Sequence, residues 1–154
     1  MSYVQRVLLP GETIIHEGRL HWLIYGRAVV VFVIACILAE VSVLPQDEAA
    51  QHALLTAAAV AFALAILDAI AAALRRATTE FAVTDHRVIY KRGLLSRFTI
   101  EMSRDKVESV DVRQSLLGRV LNYGTILVRG TGGSLEPFRN VQDPLSLRSH
   151  ITVG

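Results

Sequence analysis

The sequence predicts a membrane α-helical hairpin followed by a small, mostly-β domain. Two continuous apolar segments, 22–44 and 53–74, contain 23 and 22 residues and flank a short polar link. A helix needs about 20 mostly apolar residues to cross the hydrocarbon core of a bilayer. After residue 74 the pattern changes to short runs that alternate between apolar and polar residues, which is typical of half-buried strands. We therefore expect a lead-in over 1–21, a transmembrane hairpin over 22–74 and one polar domain over 75–154.

The lead-in alternates loosely between apolar and polar side chains around Pro10 and Gly11, which are a turn signal. We favour an amphipathic segment that lies along the membrane surface. The alternative is a strand or a helix that packs on the carboxy-terminal domain. Trp22 and Tyr25 follow the lead-in, and such aromatic residues are typical of a membrane–water interface. They indicate that the first span begins at a bilayer surface.

The charge distribution orients the hairpin. Residues 1–27 carry three Arg and two Glu, and residues 28–74 carry four acidic and no basic side chains. Residues 75–154 carry 13 basic and 8 acidic side chains, which completes the net charge of +2. Lys and Arg near the ends of a span stay in the cytoplasm, whereas acidic residues have little influence. We therefore expect both termini in the cytoplasm and the acidic link on the outside of the membrane.

Alanine dominates the second span, which has 11 Ala among 22 residues and an Ala at every fourth position from 53 to 73. Small residues at this spacing let helix backbones approach closely in lipid. The prediction is that Ala57, Ala61, Ala65 and Ala69 pack against the first helix or a neighbouring subunit. The alternative is mere compositional bias, because such a row drifts by about 40° per step around a straight helix.

An ion pair is predicted inside the hairpin. Asp68 lies well within the second span, where a lone carboxylate is costly. Arg27 is five residues past the start of the first span, and the depths of the two side chains differ by only about 3 Å at 1.5 Å per residue. We expect Arg27 and Asp68 to pair and lock the hairpin. The alternatives are a protonated or snorkelling Asp68 that faces a partner subunit, and an ion- or proton-handling role.

The carboxy-terminal region is predicted to form an antiparallel meander of strands closed by a helix. Alternating runs separated by turn residues predict strands at 79–84, 87–91, 98–103 and 106–114. At 115–122 the apolar residues have the spacing of a helix instead of the alternation of a strand. A hairpin is expected from a strand at 125–129 and a strand at 134–138. An acid at 143 followed by a proline at 144 marks the start of a terminal helix. Leu147 and Ile151 should face the sheet, so about six or seven strands form a small barrel or sandwich.

The order of motifs resembles the bacterial pleckstrin-homology-like (PH-like), membrane-flanked domain family. The motifs that carry the resemblance are residues 10–12, 21–22, 79–84, 84–88, 92–97, 107–112, 114–119 and 123–125. The resemblance implies a PH-like barrel of antiparallel strands, with a short carboxy-terminal helix, on the cytoplasmic face of a bacterial inner membrane. It names no ligand.

The sequence shows no catalytic or metal-binding constellation. The five histidines lack metal-ligand spacing, and the glycine-rich stretch 130–133 fits a hairpin turn better than a phosphate loop. Cys36, the one cysteine, cannot form a disulfide within the chain; because Ile37 and Leu38 continue the apolar run, we expect an uncleaved anchor. We expect no enzymatic activity, no cofactor, no metal and no nucleic-acid partner.

Two functions remain. The first is a membrane-anchored interaction module that forms a homo-oligomer or an accessory subunit of an inner-membrane complex. The second is a module that binds lipid headgroups or senses the membrane through basic residues, since such groups interact with an anionic inner leaflet. The basic residues predicted to contact anionic lipid are Arg75, Arg76, Lys91, Arg92 and Arg97. The alternative is that they are ordinary solvated strand faces.

Overall fold

A computed structural model describes residues 3–44, 47–93, 98–131 and 135–152. The chain divides into two compact units. The first, which we call the domain unit, consists of Met1–His21 and Arg75–Gly154, and the second, the helical unit, consists of Trp22–Leu74. The domain unit is therefore built from both ends of the chain.

The regular elements follow one another in a simple order. They are α1 (Tyr3–Val7), β1 (Ile14–Gly18), a 3₁₀ turn (Trp22–Tyr25), α2 (Gly26–Val41), α3 (Glu48–Thr78), β2 (Glu80–Thr84), β3 (Arg87–Arg92), β4 (Phe98–Ser103), a second 3₁₀ turn (Arg104–Lys106), β5 (Val107–Arg113), α4 (Leu116–Val120), β6 (Tyr123–Gly130), β7 (Leu135–Gln142) and α5 (Pro144–Thr152).

The domain unit contains two antiparallel sheets. One sheet has four strands in the order β1-β2-β3-β4, and the other has three in the order β5-β6-β7. The core between them includes an aromatic cluster in which the rings of Tyr90 and Phe138 lie 4.4 Å apart and those of Phe81 and Phe138 lie 5.1 Å apart. From α5, Leu147 and Ile151 enter this core with exposures of 0% and 4%. The two sheets closed by a terminal helix agree with the predicted PH-like fold.

The strands predicted downstream of residue 78 form as β2 to β7, and the carboxy-terminal helix forms as α5. They do not make one continuous meander, because the turn Arg104–Lys106 separates the two sheets. The second strand of the last hairpin also extends further than expected, to Gln142. The glycine-rich turn at residues 132–134 lies outside the described residues.

The favoured interpretation of the lead-in is wrong, and the alternative is correct. Residues 14–18 form β1, which pairs antiparallel with β2 in a register that sets Glu17 opposite Ala82. Gly18 approaches Phe81 so closely that a Cβ atom there would lie 3.0 Å from the Phe81 ring. The strand forms because β2 carries apolar residues whose burial needs a neighbouring strand. The helical unit is consequently an insertion between two adjacent strands of one sheet.

Two long antiparallel helices make up the helical unit. Arg27 of α2 contacts Asp68 of α3, and the ring of Phe32, later in α2, lies 5.8 Å from that of Phe62, earlier in α3. The order of these contacts shows that the two helices are antiparallel. The Asp47 carboxylate accepts hydrogen bonds from two backbone N–H groups of the first turn of α3, at 3.2 and 3.4 Å. This cap explains why α3 begins five residues before the predicted span.

The buried alanines of the helical unit recur at every seventh residue along each helix. The buried alanines are Ala28 and Ala35 on α2, and Ala58, Ala65 and Ala72 on α3. A seven-residue repeat keeps one stripe of each helix facing its partner. The other faces are apolar and exposed. The helical stretch Trp22–Val41, which includes the 3₁₀ turn and α2, and the helix α3 are both long and apolar enough to cross a membrane, and only 11% and 17% of their most apolar windows is buried.

Candidate functional site

A buried ion pair joins the amino-terminal segment to β3. The Nε atom of Arg87 donates to Oε1 of Glu12 at 2.9 Å, and its Nη2 atom donates to Oε2 at 2.8 Å. The Glu12 side chain is 1% exposed and that of Arg87 is 17% exposed. A two-pronged guanidinium–carboxylate contact of this kind is among the strongest hydrogen-bonded arrangements in proteins.

The remaining polar atoms of this pair are satisfied by neighbouring groups. Thr84 Oγ1 donates to Glu12 Oε1 at 2.7 Å, and the backbone N–H of Leu9 donates to Oε2 at 2.8 Å. Arg87 also donates to the carbonyl oxygen of Val7 and to the carboxylate of Glu101, both at 2.6 Å. The hydrogen bond from Arg87 lowers the pKa of Glu12 from 4.5 to about 2, although burial acts in the opposite direction.

Backbone contacts extend this network. The N–H of Thr13 donates to the Asp85 carboxylate at 3.1 Å, and the N–H of Asp85 donates to the carbonyl oxygen of Thr13 at 3.2 Å. Gly11 adopts a φ of +87°, which favours glycine in the turn that delivers Glu12. The Pro10–Glu12 motif and the Thr84–Arg87 turn therefore bind each other. The sequence motifs that contain Glu12 and Arg87 were not predicted to contact each other, and the opposite charges of these two residues were the only signal of their contact.

The predicted pair in the helical unit is brought together. The Nε atom of Arg27 lies 2.9 Å from Oδ2 of Asp68. The Asp68 side chain is 25% exposed, whereas that of Arg27 is 82% exposed. The contact thus joins α2 to α3 near the end of the helical unit at which the chain enters and leaves it.

The four predicted helix-packing alanines differ in environment. Ala57 is exposed, Ala61 and Ala69 are half-buried, and Ala65 is buried. Ala65 and Ala69 also line an apolar groove of about 290 Å³ on the helical unit. The other side chains along the groove are Tyr25, Ala28, Val29, Phe32, Phe62 and Ile66. The groove is a preformed apolar concavity that the helical pair itself leaves unfilled.

The basic residues predicted to contact lipid do not form a single patch. Lys91 is held within the domain unit: its side chain is 14% exposed, its Nζ atom lies 3.4 Å from the Glu80 carboxylate, and it sits 5.2 Å from the centre of the Tyr3 ring. Arg75, Arg76 and Arg92 are exposed. Arg97 lies outside the described residues.

One cleft of the domain unit does bring basic residues together. Arg19 and Arg76 both line it, and its volume is about 340 Å³. Two acidic residues, Glu17 and Glu80, share the lining. Glu80 accepts hydrogen bonds from Lys91 and from the backbone N–H of Val4, so its charge is already engaged.

Two histidines that sequence reasoning left unassigned meet across the domain unit. The rings of His16 on β1 and His150 on α5 stack with their centroids 4.7 Å apart. Burial, followed by the charge of His150, lowers the pKa of His16. The Nδ1 atom of His150 lies 2.7 Å from the carbonyl oxygen of Ser146. Within the described ranges, no group of three or more His, Cys, Asp and Glu side chains is placed to hold a metal ion.

Antiparallel sheets of four and three strands, closed by a carboxy-terminal helix, define the class of PH-like interaction domains. The family model described as "Bacterial PH domain" matches residues 28–152, so the chain belongs to the bacterial PH domain family. The match begins inside α2 and continues to the end of α5. The resemblance drawn from the sequence motifs is therefore confirmed. PH domains are generally non-catalytic modules that bind proteins or lipids.

Neither the comparison with curated proteins nor the comparison with solved structures finds a significant match.

Proposed function

We propose that this protein is a membrane-anchored, non-enzymatic interaction module. In this proposal the helical unit spans a bacterial inner membrane, the domain unit lies in the cytoplasm, and the protein assembles with itself or as an accessory subunit of a membrane complex. The observation that carries the proposal is the exposure of the apolar helices. Most of their surface is uncovered, as side chains such as Val30 at 59% and Leu67 at 62% illustrate.

The exposure argues against a water-soluble arrangement of the helices. A core helix of a soluble protein is mostly buried, whereas these two are 11% and 17% buried over their most apolar windows. Large contiguous apolar surfaces on proteins mark contact with a membrane or with another protein. At about 1.5 Å per residue, the 31 residues of α3 extend about 46 Å, which exceeds the roughly 30 Å of a hydrocarbon core.

The position of the insertion supports a two-span hairpin. Because β1 and β2 are paired, the chain must leave the domain unit at His21 and return to it at Arg75 on the same side of any membrane. A chain returns to the same side of a membrane only after an even number of crossings, and the two helices of the helical unit provide two. A first helix that was removed as a signal sequence would take β1 and Glu12 with it, and the domain unit would lose an edge strand and its buried ion pair.

The apolar groove supports assembly through the helical unit. Helices associate in lipid where small residues allow close backbone approach, and Ala65 and Ala69 provide such a surface within the groove. In the proposal the Arg27–Asp68 contact holds α2 and α3 in the register that forms this groove. A helix of a second copy or of another subunit would fill it.

Light scattering of the full-length protein in mild detergent tests the assembly. We expect a discrete oligomer, or a reproducible complex when the protein is isolated from its host membrane. Ala69→Leu fills the groove and should shift the mass toward that of one chain. Ala71→Leu adds the same side chain at an exposed position of the same helix and should leave the mass unchanged. A single chain with no stable complex would contradict the proposal.

The alternative function, lipid-headgroup binding, is favoured by the cleft at Arg19 and Arg76. Both arginines lie within a few residues of the ends of the helical unit, and basic groups at an anionic leaflet each contribute about 1 kcal/mol. Native mass spectrometry of the protein from membranes that contain anionic lipid tests this function. Joint replacement of Arg19 and Arg76 by Gln should reduce retained anionic lipid, whereas Arg148→Gln, at an exposed position of α5, should not. Equal retention by all three proteins would exclude this cleft as the binding site.

A further inference from the structure

The short helix α4 exposes three large apolar side chains. Leu116 and Val120 are each 81% exposed, and Leu117 is 67% exposed. They are the most exposed large apolar side chains among the described residues of the domain unit. We call this group the α4 wedge. Its members follow one another along one short turn of helix, so they form one continuous apolar surface.

The α4 wedge is held by specific polar contacts rather than by a loose loop. The Ser115 hydroxyl accepts a hydrogen bond from the backbone N–H of Gly118 at 3.1 Å and caps the helix. Nε2 of Gln114 donates to the carbonyl oxygens of Gly118 at 3.3 Å and Tyr123 at 3.1 Å. Gly118 is buried, and a Cβ atom there would lie 2.7 Å from the carbonyl oxygen of Tyr123. Gly118 thus faces the interior of the domain unit, while the three apolar side chains face outward.

The α4 wedge lies at the end of the domain unit where the chain leaves for the helical unit. Three residues after the end of α4, the Tyr123 ring stacks on that of His21 with the centroids 5.2 Å apart. The N–H of His21 donates to the carbonyl oxygen of Asn140 at 2.8 Å, and Leu20 forms a bridge with Val141. Trp22, the first residue of the helical unit, follows His21 immediately. The chain therefore enters the helical unit directly from residues that contact the segment following α4.

The charge around the α4 wedge suits an anionic lipid surface. Residues 112–135 contain Arg113, Arg119 and Arg129 and no Asp or Glu. The acidic residues that border this stretch are Asp111 and Glu136 in sequence, and Asp143, whose N–H donates to the carbonyl oxygen of Asn122. Arg113 and Arg119, which flank the wedge in sequence, are both exposed. An apolar face bordered by arginines is the pattern of segments that bury their apolar side chains at the boundary between headgroups and acyl chains.

From these observations we infer that the α4 wedge inserts into the cytoplasmic leaflet of the bilayer that the helices span. Leu116, Leu117 and Val120 enter the headgroup–acyl boundary, and Arg119 contacts lipid phosphate. This inference rests on the proposed membrane anchoring, and it adds a second, shallow contact that holds the domain unit against the membrane surface. It places the lipid contact on α4 rather than on the predicted basic residues.

Fluorescence quenching on the full-length protein in anionic vesicles tests the inference. Leu117→Cys in a Cys36→Ala background receives an environment-sensitive fluorophore, and the vesicles contain lipid with a nitroxide near the headgroup. We expect strong quenching and a blue shift of the emission. Thr131→Cys is the matched control, because it lies beyond the other end of β6, about 26 Å from Tyr123 at roughly 3.3 Å per residue. Its label should be quenched several-fold less.

A third probe separates this inference from the proposed function. In the wild-type protein Cys36 lies exposed on α2 and can be labelled alone, so its quenching by a nitroxide deep in the acyl chains reports the anchor. Quenching at Cys36 without quenching at Leu117→Cys would overturn the α4 inference and leave the anchor intact. Absence of quenching at Cys36 would overturn the anchor itself. Disulfide cross-linking of two Leu117→Cys chains in dilute vesicles would assign the wedge to a second copy and also overturn the inference.

Discussion

Replacement of Glu12 by Gln should destabilise the domain unit more than any other single change of charge in the amino-terminal segment. The variant removes one partner of a buried ion pair and leaves the Arg87 guanidinium, 17% exposed, without a carboxylate at Glu12. The pKa of Glu12 falls from 4.5 to about 2 on folding, which corresponds to about 3 kcal/mol at roughly 1.4 kcal/mol per unit. Glutamine retains one acceptor oxygen, so we expect a loss of about 2 to 3 kcal/mol.

Hydrogen–deuterium exchange of the full-length protein measures this loss where it arises. The backbone N–H groups of β1 and β2 should exchange roughly 30 to 140 times faster in Glu12→Gln, because each 1.4 kcal/mol corresponds to a factor of about ten. Glu17→Gln is the matched control, since Glu17 lies on β1 and is exposed. It should change the exchange by no more than a few-fold.

The pH dependence of the stability difference between wild type and Glu12→Gln tests the same ion pair independently. A carboxylate with a lowered pKa stabilises the folded state above its unfolded pKa of about 4.5, and the stabilisation is lost as the pH falls toward about 2. The difference between wild type and Glu12→Gln should therefore be constant above about pH 5.5 and shrink below pH 4.5. A difference that stays the same down to pH 2, or exchange rates equal to those of wild type at neutral pH, would refute the reasoning.

Three further predictions concern the domain unit. Leu147→Ala should lower the free energy of unfolding by about 2 to 5 kcal/mol because Leu147 is fully buried, whereas Leu145→Ala, at a position 54% exposed, should have little effect by thermal denaturation. Gly118→Ala should displace α4, since the new Cβ atom would meet a backbone carbonyl oxygen at 2.7 Å, and faster amide exchange confined to α4 and the start of β6 would show it. Burial and the charge of His150 lower the pKa of His16, so the domain unit should lose stability as the pH falls below about 6.5. His150→Asn should flatten this part of the pH profile, and an unchanged profile would contradict the assignment.

Local patterns account for most of the elements. Continuous hydropathy predicted α2 and α3, and two-residue alternation predicted β2 to β5. The glycine-rich turn signal predicted the hairpin of β6 and β7, and the acid–proline pair predicted α5 together with its buried faces at Leu147 and Ile151. These features depend on side chains a few residues apart, so a single sequence contains them. The family signatures then added the PH-like arrangement that the alternation alone left open between a barrel and a sandwich.

The features that were missed depend on contacts between distant parts of the chain. β1 pairs with β2 across an insertion of more than fifty residues, and Glu12 meets Arg87 across 75. Neither contact leaves a periodic pattern in the sequence. The alanine row illustrates a related difficulty. The second span has so many alanines that a four-residue spacing and a seven-residue spacing both occur in it. The four-residue row was predicted to pack, whereas the buried alanines, Ala58, Ala65 and Ala72, lie seven apart.

The candidate site was predictable only in part. The contact between Arg27 and Asp68 followed from counting depth along two antiparallel spans. The role of Lys91 could not be anticipated, because its partners Glu80 and Tyr3 come from different elements. The outward orientation of Leu116, Leu117 and Val120 was equally hidden, since helical spacing of apolar residues ordinarily predicts a buried face.

The central claim is that the chain leaves the domain unit, crosses a membrane twice and returns to complete the same sheet. Cysteine accessibility in intact spheroplasts tests it most directly, with single-cysteine variants in a Cys36→Ala background and a membrane-impermeant maleimide. Glu48→Cys, at the start of α3, should react in intact spheroplasts, whereas Thr131→Cys in the domain unit should react only after permeabilisation. Reaction of both positions without permeabilisation, or of neither until the membrane is opened, would contradict the claim.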